Sequence, residues 1–120
     1  MMHQKAILFD DHYVADKILS ECNPRDIKRL GREVHNFNAL TWDKNKEDIV
    51  YRNNVAKFTQ NIHLKKKLLD TYPKMLVEAA PLDRIWGIGY NEYNAKKVHV
   101  SRWGENLLGK TLIRVTDELK

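Results

Sequence analysis

Apolar side chains recur at intervals of three and four residues along most of this chain, and that period commits it to helices. Met2, Ala6, Phe9 and Tyr13 form one such stripe. Ala15, Ile18, Leu19 and Cys22 form a second, after a break expected near Asp10-Asp11. Asn23-Pro24 reads as a helix cap followed by proline at the first helical position, where its missing N–H costs nothing. Ile27, Leu30 and Val34 are the expected buried face of that helix, and Gly31 inside it marks fraying or close packing. His35 to Thr41 lacks periodicity and reads as a loop. A longer helix is expected from about Asn45 to Gln60, with Tyr51, Val55, Phe58 and Ile62 in one row. Asn61 then opens a helix with Leu64 and Leu68 inward, which Tyr72-Pro73 stops. Leu108, Leu112, Val115 and Leu119 give a last helix. Only Met75 to Ala80, a short apolar run before Pro81, reads as a strand. The expected fold class is mainly α with a small β component, in a single compact domain.

With 120 residues, 42% hydrophobic and 31% charged, the chain is ordinary globular material, large enough for a core. No repeat or linker interrupts it. No apolar run approaches the roughly 20 residues a membrane span needs, and no secretory leader opens it, so a cytoplasmic location and no membrane contact are expected. Cys22, the single cysteine, has no internal disulfide partner and reads as a small buried side chain. The five histidines show no metal-binding spacing, so neither a metal nor a cofactor is expected. A net charge of +5 favours anionic partners such as phosphorylated metabolites, nucleotides or nucleic acid. Lys65-Lys66-Lys67 point in different directions on a helix and read as a solvated face.

The stretch from Pro81 to Gly104 is rich in glycine, asparagine and aromatics, the composition of a long ordered loop, and such loops are often functional. Within it, Asp83-Arg84-Ile85-Trp86-Gly87 places a carboxylate, a guanidinium and an indole close together. Gly87 lets backbone approach a ligand, Trp86 offers a stacking face, and Asp83 suits stabilising a cation or activating water. The alternative is a structural Asp83–Arg84 pair with Trp86 plugging the core. Trp42-Asp43 is a second aromatic–acid pair, placed just before the long helix; a helix-start carboxylate beside a packed indole is the competing reading. Asn106 and Lys110 share one face at the start of the last helix, where free N–H groups suit an anion. Gly109-Lys110-Thr111 fits a phosphate-loop motif poorly. Lys5 borders the apolar first helix: it either snorkels to water or, desolvated, becomes a nucleophile toward carbonyl carbon.

Taken in order, several strings resemble the NADAR/YbiA-like family: His3-Gln4-Lys5-Ala6 with Leu8-Phe9-Asp10-Asp11; Lys28-Arg29-Leu30-Gly31-Arg32, then Trp42-Asp43; Lys57-Phe58 with Gln60-Asn61; Leu68-Leu69; Leu76-Val77-Glu78-Ala79; Asp83 to Gly89; and Asn106-Leu107-Leu108-Gly109-Lys110. The resemblance covers nearly the whole chain. It implies an N-glycosidase that breaks a ribose C1–N bond, either in a phosphoribosylamino-pyrimidine intermediate of riboflavin synthesis or in ADP-ribosylated guanine of nucleic acid. It also implies Lys5 as a Schiff-base nucleophile and Asp83 as acid/base. Trp42 and Trp86 become stacking platforms, and Arg32, Asn106 and Lys110 polar or phosphate contacts. Family members carry a further segment ahead of the aligned Met1-Met2. A domain at 1–120 without that segment is therefore expected to be much less active than a longer version. The alternative function is a non-catalytic basic module that binds nucleotides or nucleic acid, for which salt-sensitive binding without product is the signature.

Overall fold

The computed structural model describes residues 1–120. Seven α-helices make up most of the chain: α1 Met2–Leu8, α2 His12–Ser20, α3 Pro24–Arg32, α4 Ala39–Gln60, α5 Ile62–Asp70, α6 Glu92–Ala95 and α7 Leu107–Leu119, with a 3₁₀ turn at Val100–Arg102. Two compact units are distinguished, Met1–Ile49 and Val50–Lys120, the division falling inside α4. No helix is long and apolar enough to cross a membrane.

In the first unit α1, α2 and α3 pack on one another around Ala6, Phe9, Val14, Ala15, Ile18, Leu30 and Val34. The break between α1 and α2 falls where the sequence placed it. Asp10 adopts a left-handed φ of 57°, which aspartate tolerates better than most residues, and the turn redirects the chain. Tyr13 consequently leaves the stripe of α1 and lies 67% exposed. Leu19 and Cys22 also face solvent, contrary to the sequence expectation, because the buried face of α2 is confined to Val14, Ala15 and Ile18. Gly31 marks close packing: an added Cβ there would run into the Met2 side chain of α1.

Asp11 ties this unit together. Its buried carboxylate caps α2, accepting from Val14 N at 3.1 Å, and also accepts from His35 N at 2.7 Å and His35 Nδ1 at 2.9 Å. Those hydrogen bonds, the His35 backbone N–H foremost, pull its pKa from 3.8 down to about 2. The folded form therefore binds this proton less well than the unfolded chain. Its contribution to stability is complete above the unfolded pKa and disappears as pH falls through about 2. Thermal melts between pH 5 and 2 are expected to show this loss, and the Asp11→Asn variant to show a flatter dependence over the same window. An unchanged slope in the variant would remove Asp11 as its source.

In the second unit α5 packs against α7, with Leu68, Ile88, Ala95 and Val115 buried. Thr111 and Thr116 are buried on α7 as well, each returning its hydroxyl to the carbonyl four residues back, Leu107 at 2.7 Å and Leu112 at 2.9 Å. Ile62, placed in one row with Tyr51, Val55 and Phe58, is 75% exposed.

The expected β component is not present: the chain is all-helical, without strand or sheet. Met75–Ala80 has no regular structure, no strand lies beside it, and it ends in a tight turn in which Ala80 N donates to Glu78 O at 3.0 Å. Several of its backbone groups are satisfied otherwise. The Asn106 side chain donates from Nδ2 to Leu76 O at 3.0 Å and accepts from Glu78 N at 2.9 Å, the two bonds a neighbouring strand would have supplied. Glu78 O accepts from Ile88 N at 3.0 Å.

Candidate active site

The first unit holds Lys5, Arg32, Trp42 and Asp43. Lys5 lies in the last turn of α1, and its ammonium stands 4.8 Å from the centre of the Phe37 ring and 5.5 Å from that of Trp42. Phe37 is held in turn against Phe9 with ring centres 5.3 Å apart. It reaches this position because Asn36 takes a left-handed φ of 59° in the loop after α3. Trp42 arrives from α4, which begins at Ala39 rather than near Asn45. Asn38 caps it, accepting from Thr41 N at 3.0 Å through its side chain and from Trp42 N at 2.9 Å through its carbonyl. The Trp42-Asp43 pair is thus inside the helix and not ahead of it.

Burial and, secondarily, the Arg32 charge lower the Lys5 pKa from the ordinary lysine value. The ring faces attract the ammonium and partly offset this. The outcome is an amine that gives up its proton more readily than a surface lysine, flanked by the Phe37 and Trp42 rings. Asp43 is exposed and pairs with Lys46 at 3.1 Å on the same helix, an arrangement that needs no ligand.

The second unit holds Asp83, Trp86, Gly87, Asn106 and Lys110. Asp83 Oδ1 accepts from Ile85 N and Trp86 N, both at 2.9 Å, closing a turn that fixes the half-buried Trp86. The Asp83–Arg84 pair of the alternative reading does not form: Arg84 donates from Nη2 to Arg102 O at 2.8 Å and lies over Tyr90. The start of α7 is not an anion site. The N–H groups of Gly104, Glu105, Asn106, Leu107 and Leu108 donate to the carbonyls of Ile88, Arg84, Gly87, Ile85 and Trp86 at 2.8–3.0 Å. Gly104 permits this approach, since a Cβ there would meet the Arg84 backbone. Asn106, 7% exposed, is the clip on Leu76 and Glu78, which uses its Oδ1 and one of its two amide N–H groups, whereas Lys110 is exposed.

This unit also contains a cavity of about 330 Å³, lined by Val77, Ala79, Ile88, Ala95 and Trp103, with Glu92 of α6 and Lys96 just after that helix completing its wall. None of these residues was named as a site residue in the sequence, although Val77, Ala79 and Ile88 lie in the strings that carry the family resemblance. Phe37 was also missed, hidden in a stretch without periodicity.

The NADAR domain model matches residues 1–120. The chain belongs to the NADAR family. The N-glycosidase R617 of Acanthamoeba polyphaga mimivirus is 48% identical over 120 residues, covering 98% of this chain and 70% of the viral protein. The N-glycosidase YbiA of Shigella boydii is 30% identical over 111 residues, covering 92% of this chain and 63% of its own length. The chloroplastic riboflavin biosynthesis protein PYRR of Zea mays is 34% identical over 103 residues, 81% of this chain but 15% of the plant protein. The family resemblance read from the ordered strings is therefore correct, and this NADAR chain carries Lys5 against two aromatic rings in its first unit.

Proposed function

We propose that this chain is an N-glycosidase that cleaves a ribose C1–N bond, with Lys5 as nucleophile. The observation that carries the reading is the Lys5 amine, its pKa lowered and its surroundings aromatic, in a family whose viral and bacterial relatives bear the name N-glycosidase. The neutral amine adds to C1 of the opened ribose. The base departs, its nitrogen taking up a proton, and a Schiff base links Lys5 Nζ to C1. Water adds to C1 and the amine leaves, so the sugar is released as an aldehyde that recloses. Arg32 lowers the amine pKa and is available to a substrate phosphate.

Two substrates fit this chemistry: a phosphoribosylamino-pyrimidine riboflavin intermediate, which the name of the maize relative supports, and ADP-ribosylated guanine. Incubation of the chain with each, with products read by mass and borohydride added to trap the Schiff base, tests the proposal. The expected result is a sugar-phosphate adduct on Lys5 with one of the two. Salt-sensitive binding with no product from either would replace the reading with the non-catalytic basic module.

Asp83 is the second catalytic candidate, and its two roles separate cleanly. Asparagine keeps the Oδ1 acceptor that Ile85 N and Trp86 N require but cannot carry a proton. Asp83→Asn is expected to lower kcat about a hundred-fold with an unchanged melting temperature. Full activity in Asp83→Asn, alongside a destabilised Asp83→Ala, would reduce the residue to a turn former.

A further inference from the structure

The loop between α3 and α4 is held by a carboxylate on one side and meets Lys5 on the other. Its ends are fixed: Val34 is buried in the core of the first unit, and Asn38 caps α4. Between them, His35 N and His35 Nδ1 both donate to Asp11 Oδ2, at 2.7 and 2.9 Å. An ionised carboxylate can only accept, so Nδ1 carries a hydrogen whether the ring is neutral or protonated. Asp11 cannot follow the loop, because its Oδ1 accepts from Val14 N at 3.1 Å and its own N–H donates to Ala6 O at 2.8 Å. That last bond ties the carboxylate to α1 one residue beyond Lys5. The His35 side chain is 76% exposed, so packing does not account for its place. The hydrogen bond does.

Asn36 follows with a left-handed φ of 59°, a conformation that a residue with a side chain holds only where its surroundings impose it. The turn brings the Phe37 ring against Phe9 and to 4.8 Å from the Lys5 ammonium. Phe37 is nevertheless 47% exposed, so contact with Phe9 leaves much of the ring uncovered. One hydrogen bond from residue 35 leaves a pivot, and a second from the same residue to the same oxygen stops the rotation. We infer that His35 is a positioning residue for Lys5: its ring, clasped to Asp11, holds the Asn36 turn and so keeps the Phe37 ring against the amine. The catalytic consequence rests on the reading of Lys5 as nucleophile; the placement does not.

The Lys5 ε-methylene protons report this placement by NMR, because the ring currents of Phe37 and Trp42 displace their resonance. Phe37→Leu gives the position of that signal without the Phe37 ring. His35→Ala keeps the backbone bond to Asp11 and removes the imidazole. It is expected to carry the signal at least half of the way to the Phe37→Leu value, while the core methyl signals stay in place. His35→Asn restores the parental position, since its amide nitrogen stands about where Nδ1 does. Turnover of a ribosylated substrate follows the same order, down about tenfold in His35→Ala with KM little changed, and recovered in His35→Asn. A Lys5 signal unmoved in His35→Ala or in Phe37→Leu, or displaced as far in His35→Asn as in His35→Ala, would overturn the inference. Movement of the signal with turnover unchanged would overturn it as well, the ring then being placed without serving the reaction. A parent chain that cleaves neither substrate but shows the expected displacements defeats the glycosidase reading and leaves the placement standing, so the two failures are told apart.

Discussion

Lys5→Met is expected to lower glycosidase turnover by roughly a thousand-fold while leaving helical content unchanged. The nucleophile is lost outright, but its stem is replaced by a side chain of similar shape against Phe37 and Trp42. Stability should not suffer. Because the folded pKa of Lys5 lies below the ordinary value, the ammonium is worse placed in the folded chain than in the unfolded one. That penalty is complete below the folded pKa and is relieved as pH rises through it. At neutral pH the methionine variant should therefore melt no lower than the parent. Lys5→Arg is the sharper test. It keeps a cation over both rings, yet its guanidinium does not deprotonate, so it should be as inactive as Lys5→Met. Arg32→Gln removes a charge that lowers the Lys5 pKa, and the alkaline rise of the pH–rate profile should move to higher pH. Substantial activity in either Lys5 variant would end the Schiff-base mechanism.

The helices were legible because their signals are local. The Asn23-Pro24 start, the break at Asp10-Asp11 and the final helix all follow from a few adjacent residues, and the structure places them where expected. The strand misreading has the opposite origin. Met75–Ala80 has the composition of a strand, but a strand is defined by its partner, and the groups it bonds to come from Asn106 and Ile88. Nothing in the local sequence announces that an asparagine thirty positions away from Leu76 will act as a neighbouring strand. The start of α4 was misplaced because its cap, Asn38, sits in a segment without apolar period. The site residues show the same division. Lys5 and Trp42 were visible as a chemical group beside an apolar helix and an indole beside an acid. Phe37, the second ring beside Lys5, is positioned by a left-handed asparagine and by contact with Phe9. Asn106 was noticed for its chemistry and turned out to spend that chemistry on the backbone.

The second large effect follows from that last point. Asn106→Ala is expected to destabilise the second unit by about 3 kcal/mol, or roughly 10 °C in melting temperature. Three costs combine. Leu76 O loses its donor, Glu78 N loses its acceptor, and alanine is forced into the left-handed conformation that Asn106 holds at φ 54°. Asn106→Gly relieves only the backbone cost and should recover about 1 kcal/mol. Gly109→Ala attacks the same clip from the other side. A Cβ at Gly109 would meet Leu76 O, and would stand 2.5 Å from Asn106 Nδ2 and 2.6 Å from Asn106 Oδ1. Backbone cannot yield as a flexible chain end can, so this substitution should cost about 2 kcal/mol although alanine is the better helix former. Gly31→Ala is the contrast, since there the obstacle is the mobile end of Met2 and the loss should be smaller. Urea and thermal melts of the four variants measure the ranking. An Asn106→Ala protein that melts within about 2 °C of the parent would show that the clip holds nothing.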